Sequence, residues 1–137
     1  MNRPFSNNFK KGFLIALYEY LIITLPIGLY VFIEASHKSN WHFLYSTPEW
    51  SIATIFLSFI SLSKFVADLG KDGRKFDGPI LGIFGLFNLI IIVSAAMNAN
   101  MSLEKESITL IIFRIFIFSI STIVFFVLVT GIRLIKK

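Results

Sequence analysis

The sequence predicts an all-α integral membrane protein, a single domain spanning 1–137 with four transmembrane helices and both termini in the cytoplasm. Three observations predict it. Hydrophobic residues fill 55% of the 137 positions and the mean hydropathy is +0.77, more apolar surface than a soluble domain of this length needs. The apolar residues gather into four runs, 13–33, 50–67, 79–97 and 108–132. Each is close to the ~20 residues that carry a helix across a ~30 Å hydrocarbon layer. The cations are distributed unevenly around these runs. Ten of the thirteen Lys and Arg fall at the N-terminus (Arg3, Lys10, Lys11), around the second connection (Lys64, Lys71, Arg74, Lys75) and at the C-terminus (Arg133, Lys136, Lys137). The first and third connections hold one each, Lys38 and Lys105. The positive-inside bias directs the three basic regions to the cytoplasm.

The first run follows Lys10 and Lys11, a basic start that a signal peptide also has. Glu19 interrupts its apolar core and no A-x-A-like site follows, so a retained span is expected. Pro26 and Gly28 predict a kink or local unwinding past mid-span. Before the second run, in STPEW, Thr47 is placed to cap the helix, Pro48 suits its first turn and Glu49 its positive end. In KFDGPI, Asp77 or Gly78 starts the third span, again with Pro79 in the first turn. Ser102, followed by Glu104 and Glu106, opens the fourth. From 103 to 135 only Gly131 could break that helix, which at about 1.5 Å per residue would be about 50 Å long. Trp41, Tyr45 and Trp50 fall near the outer interface, where amphipathic aromatics anchor.

Two stripes of small or polar residues point to packing. The second span carries Ser51, Thr54, Ser58 and Ser61 on one face; the third carries Gly78, Gly82 and Gly85, then Asn88. Helices in lipid associate through close backbone approach and interhelical hydrogen bonds. The expectation is a hairpin packed along these stripes, with a subunit contact or a polar pore lining as alternatives. Asn88, near mid-membrane, is expected to bond Ser58 or Ser121.

Ionisable residues inside spans are functional candidates by default. Glu19 on the first helix and Lys64 on the second each fall about 9 Å from the inner boundary by helical rise. The expectation is an intramembrane ion pair between them, with Asp68 one turn nearer the cytoplasm; a proton or ion relay is the alternative reading. Arg114 falls about 10 Å below the outer boundary. It is expected to snorkel outward, where Glu34, Glu49, Glu104 and Glu106 lie near its level, or to join a charge cluster with the favoured partners Glu34 and Glu49, which end the first helix and begin the second. An oligomer contact or an aqueous cavity remains open.

Other chemistry is not legible. There is no cysteine, so disulfide and thiol chemistry are excluded. His37 and His42 do not complete a zinc site. No G-x-S-x-G, H-E-x-x-H or P-loop pattern occurs. No cofactor, no metal and no enzymatic activity are expected. The net charge of +5 flanks membrane spans, so the bilayer and not nucleic acid is the expected partner.

A glutamate in the first of four helices is a feature of small multidrug transporters, but IALYEYLII does not match their first-helix motif, and the strong charge bias departs from their dual orientation. The length, the spans rich in isoleucine and phenylalanine, and the near-absence of soluble mass resemble small four-span membrane subunits of bacterial anti-phage systems, the membrane component of Kiwa above all. Four-span phage exclusion proteins and immunity proteins against pore-forming bacteriocins share the outline. The likeness is one of architecture along the whole chain, carried by no motif. It implies a homo-oligomer in the bacterial inner membrane that senses phage-induced disturbance and works with a cytosolic partner. The charged hairpin 64–77, with Lys71, Arg74 and Lys75, and the basic end with Arg133, Lys136 and Lys137 are the surfaces expected to dock it. A small channel or transporter is the alternative.

Overall fold

The computed structural model describes residues 3–71 and 78–135. These form α1 (Arg3–His37), α2 (Phe43–Ser46), α3 (Glu49–Lys71), α4 (Gly78–Glu104) and α5 (Ile108–Ile135). Four stretches are long and apolar enough to cross a membrane: Asn7–His37, Glu49–Asp68, Gly82–Glu104 and Ile108–Gly131. The chain is an all-helical, multi-pass membrane protein.

α1 runs unbroken through Pro26, so the unwinding expected there does not occur. Its 35 residues rise about 52 Å, well beyond the hydrocarbon layer. It ends in a Schellman motif: Ser39 N donates to Ser36 O and Asn40 N to Ala35 O, with Ser39 at φ 51°. Asn40 Oδ1 then accepts from His42 N at 3.2 Å and turns the chain into the single-turn α2. Trp50 Nε1 donates to Leu44 O at 2.7 Å and ties α2 to the start of α3.

Two helix starts differ from the sequence reading. Thr47 is buried and its hydroxyl has no hydrogen-bond partner, so it does not cap α3; Ser51 N is instead taken by Pro48 O at 2.9 Å. Ser102 does not open α5. It lies in the last turn of α4, which runs on to Glu104, and Ser107 Oγ accepts from Leu110 N at 3.3 Å as the cap of α5. The polar residues Glu104–Lys105–Glu106 carry the break, and the 28 residues of α5 rise about 42 Å rather than 50 Å.

α3 is the central element, packed on α5, α4 and α1. Ala16 of α1, Leu57 of α3, and Phe125 and Val129 of α5 form the apolar core at one level, with Tyr20, Ile60 and Phe126 packed around them. Phe65 of α3 packs at a tilt against Phe84 of α4, ring centres 4.3 Å apart. The outside is lined by large apolar side chains such as Leu14, Ile22, Ile33, Phe59, Ile83 and Ile123, all largely exposed. That arrangement suits lipid, and in water it would be a large aggregation-prone patch.

The interior is polar to an unusual degree. Ser51, Thr54, Ser58 and Ser61 of α3 are all buried. They do not meet Gly82 or Gly85 of α4. A Cβ added at Gly82 or Gly85 would touch nothing within 4 Å. The inward stripe of α4 is Asn88, Ile91, Ala95 and Asn98. Steps of three residues drift about 60° around a helix, so the lane through Gly82 and Gly85 reaches the interface only at Asn88. The two spans do pack as a hairpin, but not through the glycines: the serine stripe faces Asn98 and Ser121, and Gly82 and Gly85 face away from the bundle. Gly78 is the first residue of α4.

Candidate functional site

The site is a buried cation near the end of the bundle where α2, α4 and α5 come together. Arg114 lies on the inward stripe of α5 with Ile111, Ile117, Ser121 and Phe125, and its exposure is 0%. Its side chain leans toward the helix N-terminus, which brings the guanidinium under the α4–α5 connection. Nε donates to Asn98 Oδ1 at 2.9 Å. Nη1 donates to the Ser46 carbonyl and, at 3.3 Å, to Glu106 Oε1. Nη2 donates to Ser102 Oγ.

Each acceptor has a reason to be there. Ser46 ends α2, so its carbonyl lacks a helical partner and a cation at the C-terminus satisfies it. Ser102 Oγ donates to Asn98 O at 2.8 Å and so presents its lone pair to the arginine. Asn98 Oδ1 accepts a second bond from Ser51 Oγ at 3.1 Å, while its amide donates to Leu110 O at 2.9 Å. Asn98 thus joins α3, α4 and α5 through one side chain. The site needs no water to solvate the cation, because fixed dipoles and one carboxylate do it. That carboxylate, on Glu106, is 44% exposed, so solvent screens its share of the attraction.

The expected cluster of Arg114 with Glu34 and Glu49 is not what forms. Glu34 bonds Lys38 one turn along α1 at 3.0 Å. Glu49 sits in the first turn of α3, with Oε2 buried and without a hydrogen-bond partner. Arg114 reaches Glu106 instead, because the break at 105–107 folds that carboxylate back over the helix that follows it. Nor does Arg114 snorkel to the surface.

Glu19 and Lys64 are joined. Lys64 Nζ is 2.5 Å from Glu19 Oε2, with side-chain exposures of 33% and 25%, so the pair links α1 to α3 at the side of the bundle. Between the two charged levels the seam is closed by hydroxyls. Ser58 Oγ and Ser121 Oγ are 2.9 Å apart, and Ser121 also donates to Thr54 O at 3.4 Å. Thr54 and Ser61 bond back to Trp50 O and Leu57 O of their own helix. Tyr20 and Thr122 hydroxyls meet at 3.3 Å.

Asn88 does not bond Ser58 or Ser121, which satisfy each other. Its amide donates to Phe84 O at 3.0 Å, and its buried Oδ1 has no hydrogen-bond partner. Of the residues expected to dock a partner, Lys71 ends α3 and Arg133 lies in α5; Arg74, Lys75, Lys136 and Lys137 fall outside the described residues.

No protein-family model, curated protein or solved structure matches this chain. Function has to be argued from the residues. Asn98 escaped the sequence reading because it ended the third span at Met97, which also gave Ser102 to the start of the next helix; Ser46 acts through its backbone carbonyl, which no side-chain pattern marks. The signal was present: Asn98 continues the stripe Asn88–Ile91–Ala95 at helical spacing.

Proposed function

We propose that this chain is a non-enzymatic subunit of the bacterial inner membrane that self-associates and docks a cytosolic partner. Its N- and C-termini face the cytoplasm, and the α4–α5 connection faces outward. The observation that carries this reading is the closed polar seam. Ser51, Ser58, Ser121, Asn98 and Arg114 bond one another across helices, which is the behaviour of fasteners. A conducting lining would leave such groups to water. The charge bias supports the orientation. The charged hairpin 64–77 and the basic C-terminus supply the docking surface.

The resemblance to anti-phage membrane subunits adds the signal. In this reading the outer clasp on Arg114 responds to a disturbance of the membrane, and the cytoplasmic hairpin passes it on. The clasp suits the task because a buried cation held by several acceptors has few tolerable positions.

A mild-detergent pull-down of the tagged chain from its host, followed by native mass determination, tests the reading. A defined oligomer carrying a soluble protein is expected, and Arg74→Glu with Lys75→Glu should release that protein without an ion leak. An oligomer with nothing bound would overturn the docking role. The small-channel reading is favoured by one observation, the unpartnered Asn88 Oδ1 in the spanning region. It predicts conductance by the pure chain in liposomes, with selectivity altered by Arg114→Gln.

A further inference from the structure

The groove between α4 and α5 carries an inference about lipid. α4 and α5 are consecutive, yet each packs mainly on α3. Between them a cavity of about 230 Å³ is lined by Ser94, Met97, Asn98, Met101, Leu110 and Phe113. A second, of about 440 Å³, lies at the helix ends against Glu104, Lys105, Ser107 and Thr109. Met101 and Leu110 line both, so the two are one groove. Its deep part is mostly apolar, and its mouth is polar and charged.

The dimensions match one leaflet. From Glu104 to Ser94 the groove follows ten residues of α4, which is about 15 Å, half of a ~30 Å hydrocarbon layer. The mouth offers both signs of charge on adjacent residues. Among the described residues, neither the Glu104 carboxylate nor the Lys105 ammonium has a hydrogen bond or ion pair within the chain. A headgroup that is anionic at the phosphate and cationic at a primary amine complements that pair. A purely anionic headgroup would meet Glu104 and Glu106 as well as Lys105.

We propose that this groove binds one phospholipid of the ethanolamine class from the leaflet at the α4–α5 end, the outer leaflet in the topology above. The phosphate lies against Lys105 and Ser107, the amine against Glu104, and one acyl chain along Met101, Met97 and Phe113. The site deepens the sensing role and rests on that reading only for its consequence. Asn98 and Leu110 line the groove, and they are the residues whose bonds hold Arg114 and couple α4 to α5. Loss or exchange of the lipid would thus act directly on the buried cation.

The test is native mass spectrometry of the full chain, delipidated and then titrated with phosphatidylethanolamine or phosphatidylglycerol. One phosphatidylethanolamine per chain should be retained, at least about fivefold more tightly than phosphatidylglycerol, the scale of a single headgroup-level charge contact. Glu104→Gln with Lys105→Gln should abolish the preference. Ser94→Trp, which fills the groove, should abolish retention, whereas Leu86→Trp on the open lipid face should not. Helicity and melting temperature of each variant establish that it is folded, and the charge-neutralised pair keeps the test valid if Ser94→Trp is not. Equal, unsaturated retention of both lipids, unchanged by filling the groove, would show annular lipid only and overturn the site. Partner capture measured on the same preparations separates the two ideas: intact docking without lipid selectivity sinks the lipid site alone.

Discussion

Asn98 Oδ1 accepts from Arg114 Nε at 2.9 Å while the Asn98 amide donates to Leu110 O, so one side chain of α4 holds the cation and the backbone of α5 together. This is the joint on which the end of the bundle depends. Replacing Asn98 by Leu keeps its size and removes these two bonds and the one from Ser51, leaving the guanidinium short of an acceptor. A loss of about 3 kcal/mol of stability is expected, within the range for breaking a buried charged contact. The measurement is reversible unfolding in detergent. A double-mutant cycle with Arg114→Met should return a coupling above about 1 kcal/mol. Additive losses would show that the contact is not energetically used.

The Glu19–Lys64 pair is part-exposed on the flank of the bundle. Its coupling should be smaller, about 0.5–1 kcal/mol, since exposed pairs are screened and must order two long side chains. Exchanging the charges, Glu19→Lys with Lys64→Glu, should recover most of what either single reversal loses. If the double exchange is no better than the singles, the pair contributes no specific attraction.

Ser39 occupies the left-handed position of the Schellman motif that ends α1, at φ 51°. Glycine is the natural residue there because it has no Cβ to clash. Ser39→Gly is expected to stabilise the chain by about 0.5–1 kcal/mol, seen as a higher melting temperature. A lower one would mean that the serine side chain supports the loop in a way its geometry does not reveal.

Orientation is open to direct labelling because the chain has no cysteine of its own. A single cysteine at Ser107 should react with a membrane-impermeant maleimide from outside intact cells. One at Lys75 should react only after the membrane is opened. The reverse pattern would invert the proposed topology and move the docking surface to the other side.

The hydroxyl seam should be worth less than its burial suggests. Ser58→Ala or Ser121→Ala removes one half of the 2.9 Å contact between α3 and α5. About 0.5–1 kcal/mol is expected for either, because the separated helices in lipid also find partners for their hydroxyls. A loss above about 2 kcal/mol would show that the seam is a cooperative network rather than a set of independent bonds.

By itself the sequence determined the class and the number of spans, and it placed the second and fourth closely, while the first helix starts earlier and the third runs on past Met97 to Glu104. The class and the number follow from runs of apolar side chains whose length is set by bilayer thickness. It also brought Glu19 and Lys64 to one level, since depth in a membrane is counted along each helix by its rise. Rotation about the helix axes was another matter. Depth says nothing about which way a side chain faces; the polar stripe of α3 did mark its buried face, but apolar residues and glycines occur on both the inside and the outside of a bundle in lipid, so they do not show how a helix is turned. Only the tertiary structure decided that Gly82 and Gly85 face outward, that Asn98 rather than Asn88 makes the interhelical bonds, and that Arg114 is sealed by Ser46, Ser102 and Glu106. The last choice depended on where one helix ended. With α4 stopping at Glu104 and α5 starting at Ile108, three residues of connection fold the Glu106 carboxylate over the cation, and the last turn of α4 brings Ser102 to it, contacts that spacing along the chain does not encode.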